Sequence, residues 1–347
     1  MSITTKPESD SDSQALIDVN DLSKLYETNQ SIISRLFGEK EYLRAVDNVS
    51  FEIQQGEIVG LAGQSGCGKS TLGELLVQLQ EPSSGEIIID GDDITEYSSS
   101  ELKTFRRKCQ VIFQDPYEAI NPRFTVSRIV SEPLKIHSIG DRQERTERTI
   151  KALNDAGLSP AEEYLGSFPR ELSGGERQRV NIARAIVLEP DFLIADEPVS
   201  MLDVSVRTGI LKLFEKFKEE MEMSILYVSH DLSTINYLCD RTMIMYLGKV
   251  VEVGKTRNVI HYPSHPYTKT LLQSVPDTQK QTDITEESVQ GEVPDPIDLP
   301  PGCRYASWCS YADEKCERDE PLLQQRDDGE EASDQVACHY PIENNAV

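Results

Sequence analysis

Gly63-Gln64-Ser65-Gly66-Cys67-Gly68-Lys69-Ser70 carries the spacing GxxxxGK[ST], the pattern of a loop that wraps phosphate. Its glycines let backbone N–H groups converge on phosphate oxygens at a helix N-terminus. Lys69 would reach the β- and γ-phosphates, the Ser70 hydroxyl would hold Mg²⁺, and Thr71 completes the contact run. Further along, Asp191-Phe192-Leu193-Ile194-Ala195-Asp196-Glu197 reads as an apolar strand ending in two carboxylates. Beside the phosphate loop, such a strand places Asp196 on the Mg²⁺ side of the site. Strand residues alternate in direction, so Glu197 would point elsewhere and could polarise an attacking water as general base. Alone, a pair of acids at a strand end is more often a solvated turn. Together with the loop it spells hydrolysis of a nucleoside triphosphate.

These residues need a sheet to hold them. From about Leu16 to Ala62 the pattern is of short apolar strands broken by polar turns, with Val49 to Ile53 alternating and Ile58 to Ala62 reading as a buried strand. A helix follows from Lys69 to about Gln80, stopped before Pro82. Ile87 to Ile89 and Val111 to Phe113 are further strands, and Asp115 to Leu188 is mostly helical, as expected of a subdomain inserted into an α/β core. Strand signals resume at Phe192 to Ala195 and Ile225 to Val228, separated by a helical pattern over Arg207 to Glu222. That alternation predicts a parallel sheet. Met243 to Tyr246 and Val250 to Val253 read as a hairpin around Leu247-Gly248-Lys249.

The chain of 347 residues has room for one large domain and an appendage. Its 60 acidic against 35 basic residues, a net charge of −25, argue against a nucleic-acid partner, whose footprint is basic. Such self-repulsion is screened at molar salt, which suggests a halophilic host; an ordinary acidic protein is the alternative. No apolar run approaches the roughly 20 residues of a membrane span, and the Ser/Asp-rich start reads as a disordered leader over residues 1–15.

A third motif narrows the class. Leu172-Ser173-Gly174-Gly175-Glu176-Arg177-Gln178-Arg179 opens a helix that runs towards Pro190, and it resembles the signature sequence of ABC ATPases. The other elements of that family fall in order. Gln114 resembles the Q-loop glutamine, Ser200-Met201-Leu202-Asp203 the D-loop (with Met201 where Ala is usual), and His230 the switch histidine. The resemblance implies a P-loop ABC ATPase fold, that is, a RecA-like parallel sheet with an antiparallel β subdomain and an inserted α-helical subdomain. It also implies a head-to-tail dimer in which Ser173, Gly174, Gly175, Glu176 and Asp203 close on nucleotide held by the partner. Glu197, His230, Gln114 and Lys69 then carry catalysis, with Ser70, Gln114 and Asp196 around Mg²⁺. Tyr26 fits the aromatic that stacks on adenine, with Tyr42 as competitor.

Phe113-Gln114-Asp115-Pro116-Tyr117, Asn121-Pro122-Arg123 and His265-Pro266-Tyr267-Thr268 followed by Leu271-Leu272 resemble the oligopeptide/dipeptide importer ATPases. The resemblance implies an ATPase domain over 16–256, its helical subdomain at about 115–188, and a C-terminal extension over 257–347 with a linker at about 276–302. It further implies a subunit peripheral to the cytoplasmic side of the membrane, partnered by a paralogous ATPase, two permeases and, indirectly, an external solute-binding protein. A soluble ABC ATPase in repair or translation is the rival reading, but the basic surface, coiled-coil insertion or tandem cassette it calls for is missing from this sequence.

Cys303, Cys309, Cys316 and Cys338 cluster in the extension, whereas Cys67, Cys109 and Cys239 scatter through the core. Cytosolic disulfides are rare, so the four read as metal ligands, without the CxxC pairs of a zinc ribbon. The resemblance implies a four-iron four-sulfur cluster; zinc, with His339 as a spare ligand, and free thiols are the alternatives.

Overall fold

The computed structural model describes residues 15–28, 41–273, 297, 299–326 and 334–342. The expected leader, apart from Ala15, and most of the expected linker lie outside the described residues.

Two long antiparallel strands, β1 (Ile17–Glu27) and β2 (Tyr42–Ile53), open the fold. They replace the short strands expected from the sequence, because polar residues such as Asp21 and Asn48 are absorbed within the strands at positive φ (48° and 53°) and at shifts in the register. Next come β3 (Ile58–Ala62), α1 (Lys69–Leu76), β4 (Ser84–Ile89) and the two-residue β5 (Asp92–Asp93). Helix α1 stops at Leu76 rather than near Gln80, since Gln78 turns left-handed at φ 53°. Strands β2-β1-β4-β5 form a four-stranded antiparallel sheet.

After α2 (Ser99–Lys108) and β6 (Cys109–Ile112), the chain leaves the sheets for α3 (Pro116–Ala119), α4 (Val126–Ile136), α5 (Arg142–Asp155) and α6 (Gly174–Ile186). These helices start on side-chain caps. Asp115, Thr125 and Asp141 accept N–H bonds at the first three, and Ser173 with Glu176 closes a reciprocal capping box at the fourth. Between α5 and α6 only two single 3₁₀ turns interrupt the loop.

Strands β7 (Phe192–Asp196) and β8 (Ser224–Ser229) flank α7 (Val204–Met221), and α8 (Leu232–Leu238) leads to β9 (Arg241–Tyr246). The hairpin to β10 (Lys249–Lys255) turns on Leu247 and Gly248, both at positive φ, as the right-handed strand twist requires. Helices α9 (Thr256–His261), α10 (Pro266–Gln273) and α11 (Glu314–Arg318) and strands β11 (Gln324–Gln325) and β12 (Gln335–Val336) complete the described chain.

The second sheet runs β11-β12-β10-β9-β3-β8-β7-β6, parallel from β9 to β6. Every residue of β3 is buried, as a strand covered on both faces must be. Ile58 and Ala62 face the core shared with the helical subdomain, while Val59 and Leu61 face the antiparallel sheet. The extension joins this sheet: β12 pairs with β10 through Glu252↔Val336, so the sheet crosses the boundary expected at residue 256. Among the described residues no helix is long and apolar enough to cross a membrane.

Candidate active site

The phosphate loop leaves the carboxyl end of β3 and enters α1. It runs so close to its neighbours that a Cβ at Gly68 (φ 108°) would lie 2.0 Å from the Ala45 carbonyl oxygen, and one at Gly63 2.2 Å from that of Met245. Only glycine fits these approaches. Lys69 is 6% exposed, and its Nζ donates to the carbonyls of Gly63 (2.8 Å) and Gln64 (2.9 Å).

Asp196, at the end of β7, lies beside the Ser70 hydroxyl. Burial, with the charge of Glu197 added, raises its carboxyl above the ordinary range against the pull of Ser70 and Lys69. A carboxylate so placed favours a cation beside it.

Glu197 departs from expectation in one respect. It is not aimed by strand alternation, because β7 ends at Asp196 and Glu197 stands in the left-handed region at φ 45°. That conformation costs a β-carbon-bearing residue roughly 1–2 kcal/mol. It is held by the Glu197 N–H donating to Val228 O (2.9 Å) and by Ser200, whose N–H (3.2 Å) and hydroxyl (3.0 Å) both donate to Glu197 O. The kink brings the side chain between two partners. Its Oε2 accepts from Gln114 Nε2 at 3.0 Å, and its Oε1 lies 2.9 Å from His230 Nδ1.

Residues 114, 197 and 230 thus meet on one carboxylate. They follow the carboxyl ends of β6, β7 and β8, which lie side by side with β3 next in the sheet, the place where open parallel sheets bind ligands. His230 is fixed from behind: Asp231 caps α8 and pairs with Arg207 at 2.8 Å.

The signature residues form a separate structure. Ser173 and Glu176 hydrogen-bond each other, which holds the Glu176 carboxyl below its ordinary range, and Glu176 also accepts from Tyr164. Gly175 is buried where a Cβ would lie 2.6 Å from Val206 of α7, whereas Ser173 is exposed. Asp203 begins α7 without a side-chain cap bond, flanked by Met201 and Val204, 61% and 76% exposed. Tyr26 lies on β1 with its hydroxyl donating to Gln80 and Lys24 Nζ 5.3 Å from its ring centroid. Tyr42 pairs with the next residue, Glu27, across the hairpin.

Residues 46–200 match the ABC transporter family, and residues 251–316 match the C-terminal region of oligopeptide/dipeptide transporters. The chain is 38% identical over 329 residues to the oligopeptide transport ATP-binding protein AppF of Bacillus subtilis, covering 94% of this chain and 97% of that one. It is 39% identical over 305 residues to the dipeptide transport ATP-binding protein DppF of Haemophilus influenzae, covering 88% and 91%. The chain belongs to the ATP-binding subunits of ABC transporters, in the oligopeptide/dipeptide importer family.

As an ABC ATPase it has solved structural relatives. A dimeric ATP-binding cassette in a post-hydrolysis state with ADP and Pi superposes with a TM-score of 0.61 at 30% identity, covering 70% of this chain and 99% of that one. The architecture is accordingly the RecA-like core with antiparallel and helical subdomains.

Two features of this ABC ATPase were not legible as functional. The carbonyls of Ala45 and Met245 wall the phosphate loop from other strands, and no local pattern marks them. Tyr267 lies in the quoted His265-Pro266-Tyr267-Thr268 motif, yet its phenol oxygen accepts from the Gln64 N–H of the phosphate loop at 3.0 Å.

In the extension all four clustered cysteines are free, and they line one small cavity together with His265 and His339. No group of three or more His, Cys, Asp or Glu side chains among the described residues stands ready to hold a metal ion. His339 Nε2 is instead 2.8 Å from the Asp319 carbonyl oxygen. Burial, with the neighbouring thiols adding to it, raises Cys303 and Cys309 and takes Cys338 up to about 11.

Proposed function

We propose that this subunit powers uptake of peptides or a related solute, working at the cytoplasmic face of the membrane with a paralogous ATPase, two permeases and an external solute-binding protein. The single observation that carries the enzymatic half is the convergence of Gln114 and His230 on Glu197 beside Lys69, Ser70 and Asp196. The likeness to subunits named for oligopeptide and dipeptide transport supports the transport half.

Glu197 is the general base. In the described state both of its oxygens are engaged, so the carboxylate is parked; release of either Gln114 or His230 frees an oxygen to accept the proton of an attacking water. The phosphate loop binds the triphosphate through its N–H groups, and Lys69 exchanges two carbonyl partners for phosphate oxygens. The placement of Ser70 beside the half-buried Asp196 suits Mg²⁺, with Gln114 as the third group; when bound, the ion would neutralise charge on the phosphates. Tyr26 stacks on adenine.

Ser173 to Glu176 and Asp203 act on the partner's nucleotide. Exposed Ser173, Met201 and Val204 suit a surface that is covered on head-to-tail pairing. Four free cysteines lining one cavity suit thiolate ligation of a four-iron four-sulfur cluster, with zinc as the alternative. Such a cluster would tie together a region poor in regular structure. A colourless, iron-free protein from strictly anaerobic purification would remove this assignment.

The transport reading is tested by solubilising native membranes gently and identifying what co-purifies with the tagged chain. Two permeases and a second ATPase are expected; the chain alone, absent from the membrane fraction, would overturn it.

A further inference from the structure

We propose that Tyr267 is a positioning residue of the ATP site: its hydroxyl sets the peptide plane that holds Lys69, so the C-terminal extension bears directly on nucleotide binding. The proposal rests on the assignment of the chain as an ABC ATPase. Gly63 C=O and Gln64 N–H belong to one planar peptide and point in opposite directions. On one side the N–H donates to Tyr267 Oη at 3.0 Å; on the other the carbonyl accepts from Lys69 Nζ at 2.8 Å. Turning this peptide would move the lysine's resting partner, and the phenol is what prevents the turn.

Tyr267 is itself held tightly. It is 2% exposed, and its ring packs on Tyr246 and Tyr305 at centroid distances of 4.5 and 5.4 Å. Its own N–H donates to His265 Nδ1 at 3.0 Å, and the His265 N–H donates to the buried Glu252 at 3.0 Å. Tyr305 stands between Cys303 and Cys309 in sequence, and its hydroxyl meets Thr270 at 2.9 Å. A continuous path of side chains therefore runs from the cysteine cavity through Tyr305 and Tyr267 to the phosphate loop.

The test compares Tyr267→Phe with Tyr246→Phe in the full-length chain. Both remove a hydroxyl from the same aromatic cluster, but only the first removes the acceptor of the Gln64 N–H. Amide hydrogen exchange of the segment spanning Gly63 and Gln64, measured without nucleotide, should rise about tenfold in Tyr267→Phe, and ATP affinity should fall by a similar factor. Tyr246→Phe should leave both at wild-type values. Unchanged exchange and affinity in Tyr267→Phe, or equal changes in the two variants, would overturn the proposal.

Discussion

At the nucleotide site, polar groups drawn from residues 63–230 gather at the carboxyl ends of four adjacent parallel strands, and each functional residue lies within two positions of a strand end or opens a helix. In the C-terminal extension the described regular elements are short, and beyond the β12–β10 pairing side chains do much of the joining. Arg304 pairs with Asp47 of β2 and also donates to the Leu247 carbonyl, Glu252 clasps the N–H groups of Ser264 and His265, and Lys249 pairs with Glu320. The difference teaches how each region can fail. Backbone-built positioning tolerates loss of a functional side chain without loss of fold, whereas side-chain-built docking concentrates stability in a few buried polar groups.

The largest expected effect follows from that contrast. Glu197→Gln should lower the rate of ATP hydrolysis by about 10² to 10⁴-fold while ATP stays bound and the thermal midpoint barely moves. Phosphate release and nucleotide retention measure it; near-normal turnover would remove Glu197 from the role of base.

In the extension the corresponding change acts on stability. The Arg304 guanidinium holds the Asp47 carboxyl below its usual range although burial opposes this, and both side chains are mostly buried. Asp47→Asn should therefore cost about 3–5 kcal/mol, because it strands a buried guanidinium, with the nucleotide motifs untouched. Denaturant unfolding reads the loss, and a variant as stable as wild type would show that the pair is not what docks the extension.

A pH experiment sharpens the comparison further. Burial lowers His265 to about 4, against about 6.5 in an unfolded chain. Between these values the unfolded state binds more protons, so stability must fall as pH drops from about 6.5 towards 4, by about 3 kcal/mol in total. His265→Asn should flatten that slope. An unchanged slope would show that His265 is not buried in its neutral form.

The smallest effect belongs to the signature helix. Ser173→Ala removes one half of its capping box and should cost about 1 kcal/mol of stability. A much greater drop in turnover than in thermal midpoint would fit the proposed action of Ser173 on the partner's nucleotide, and equal drops would make it a cap alone.

Much of the active site was legible from the sequence because its chemistry is local. Phosphate binding needs glycines, a lysine and a hydroxyl in one loop, and Asp196 and Glu197 are adjacent, so spacing alone names them. The parallel sheet was likewise readable from apolar runs such as Ile225 to Val228, since a strand buried on both faces leaves no polar alternation. What escaped were facts about direction and long-range contact. The pleat rule misjudged Glu197, because a left-handed residue ends the strand there, in a kink held by its bonds to Val228 and Ser200. The early strands were read as short because their bulges look like turns in one dimension.

The sequence by itself determined the reaction class and the order of the motifs, for these depend on side-chain chemistry and spacing within a few positions. Only the tertiary structure decided that Gln114 and His230 share one carboxylate, that β12 extends the catalytic sheet, and that Tyr267 touches the phosphate loop 203 positions away. Those contacts join segments far apart in the chain, and their geometry is set by how the sheet and its helices pack, which no local pattern of residues encodes.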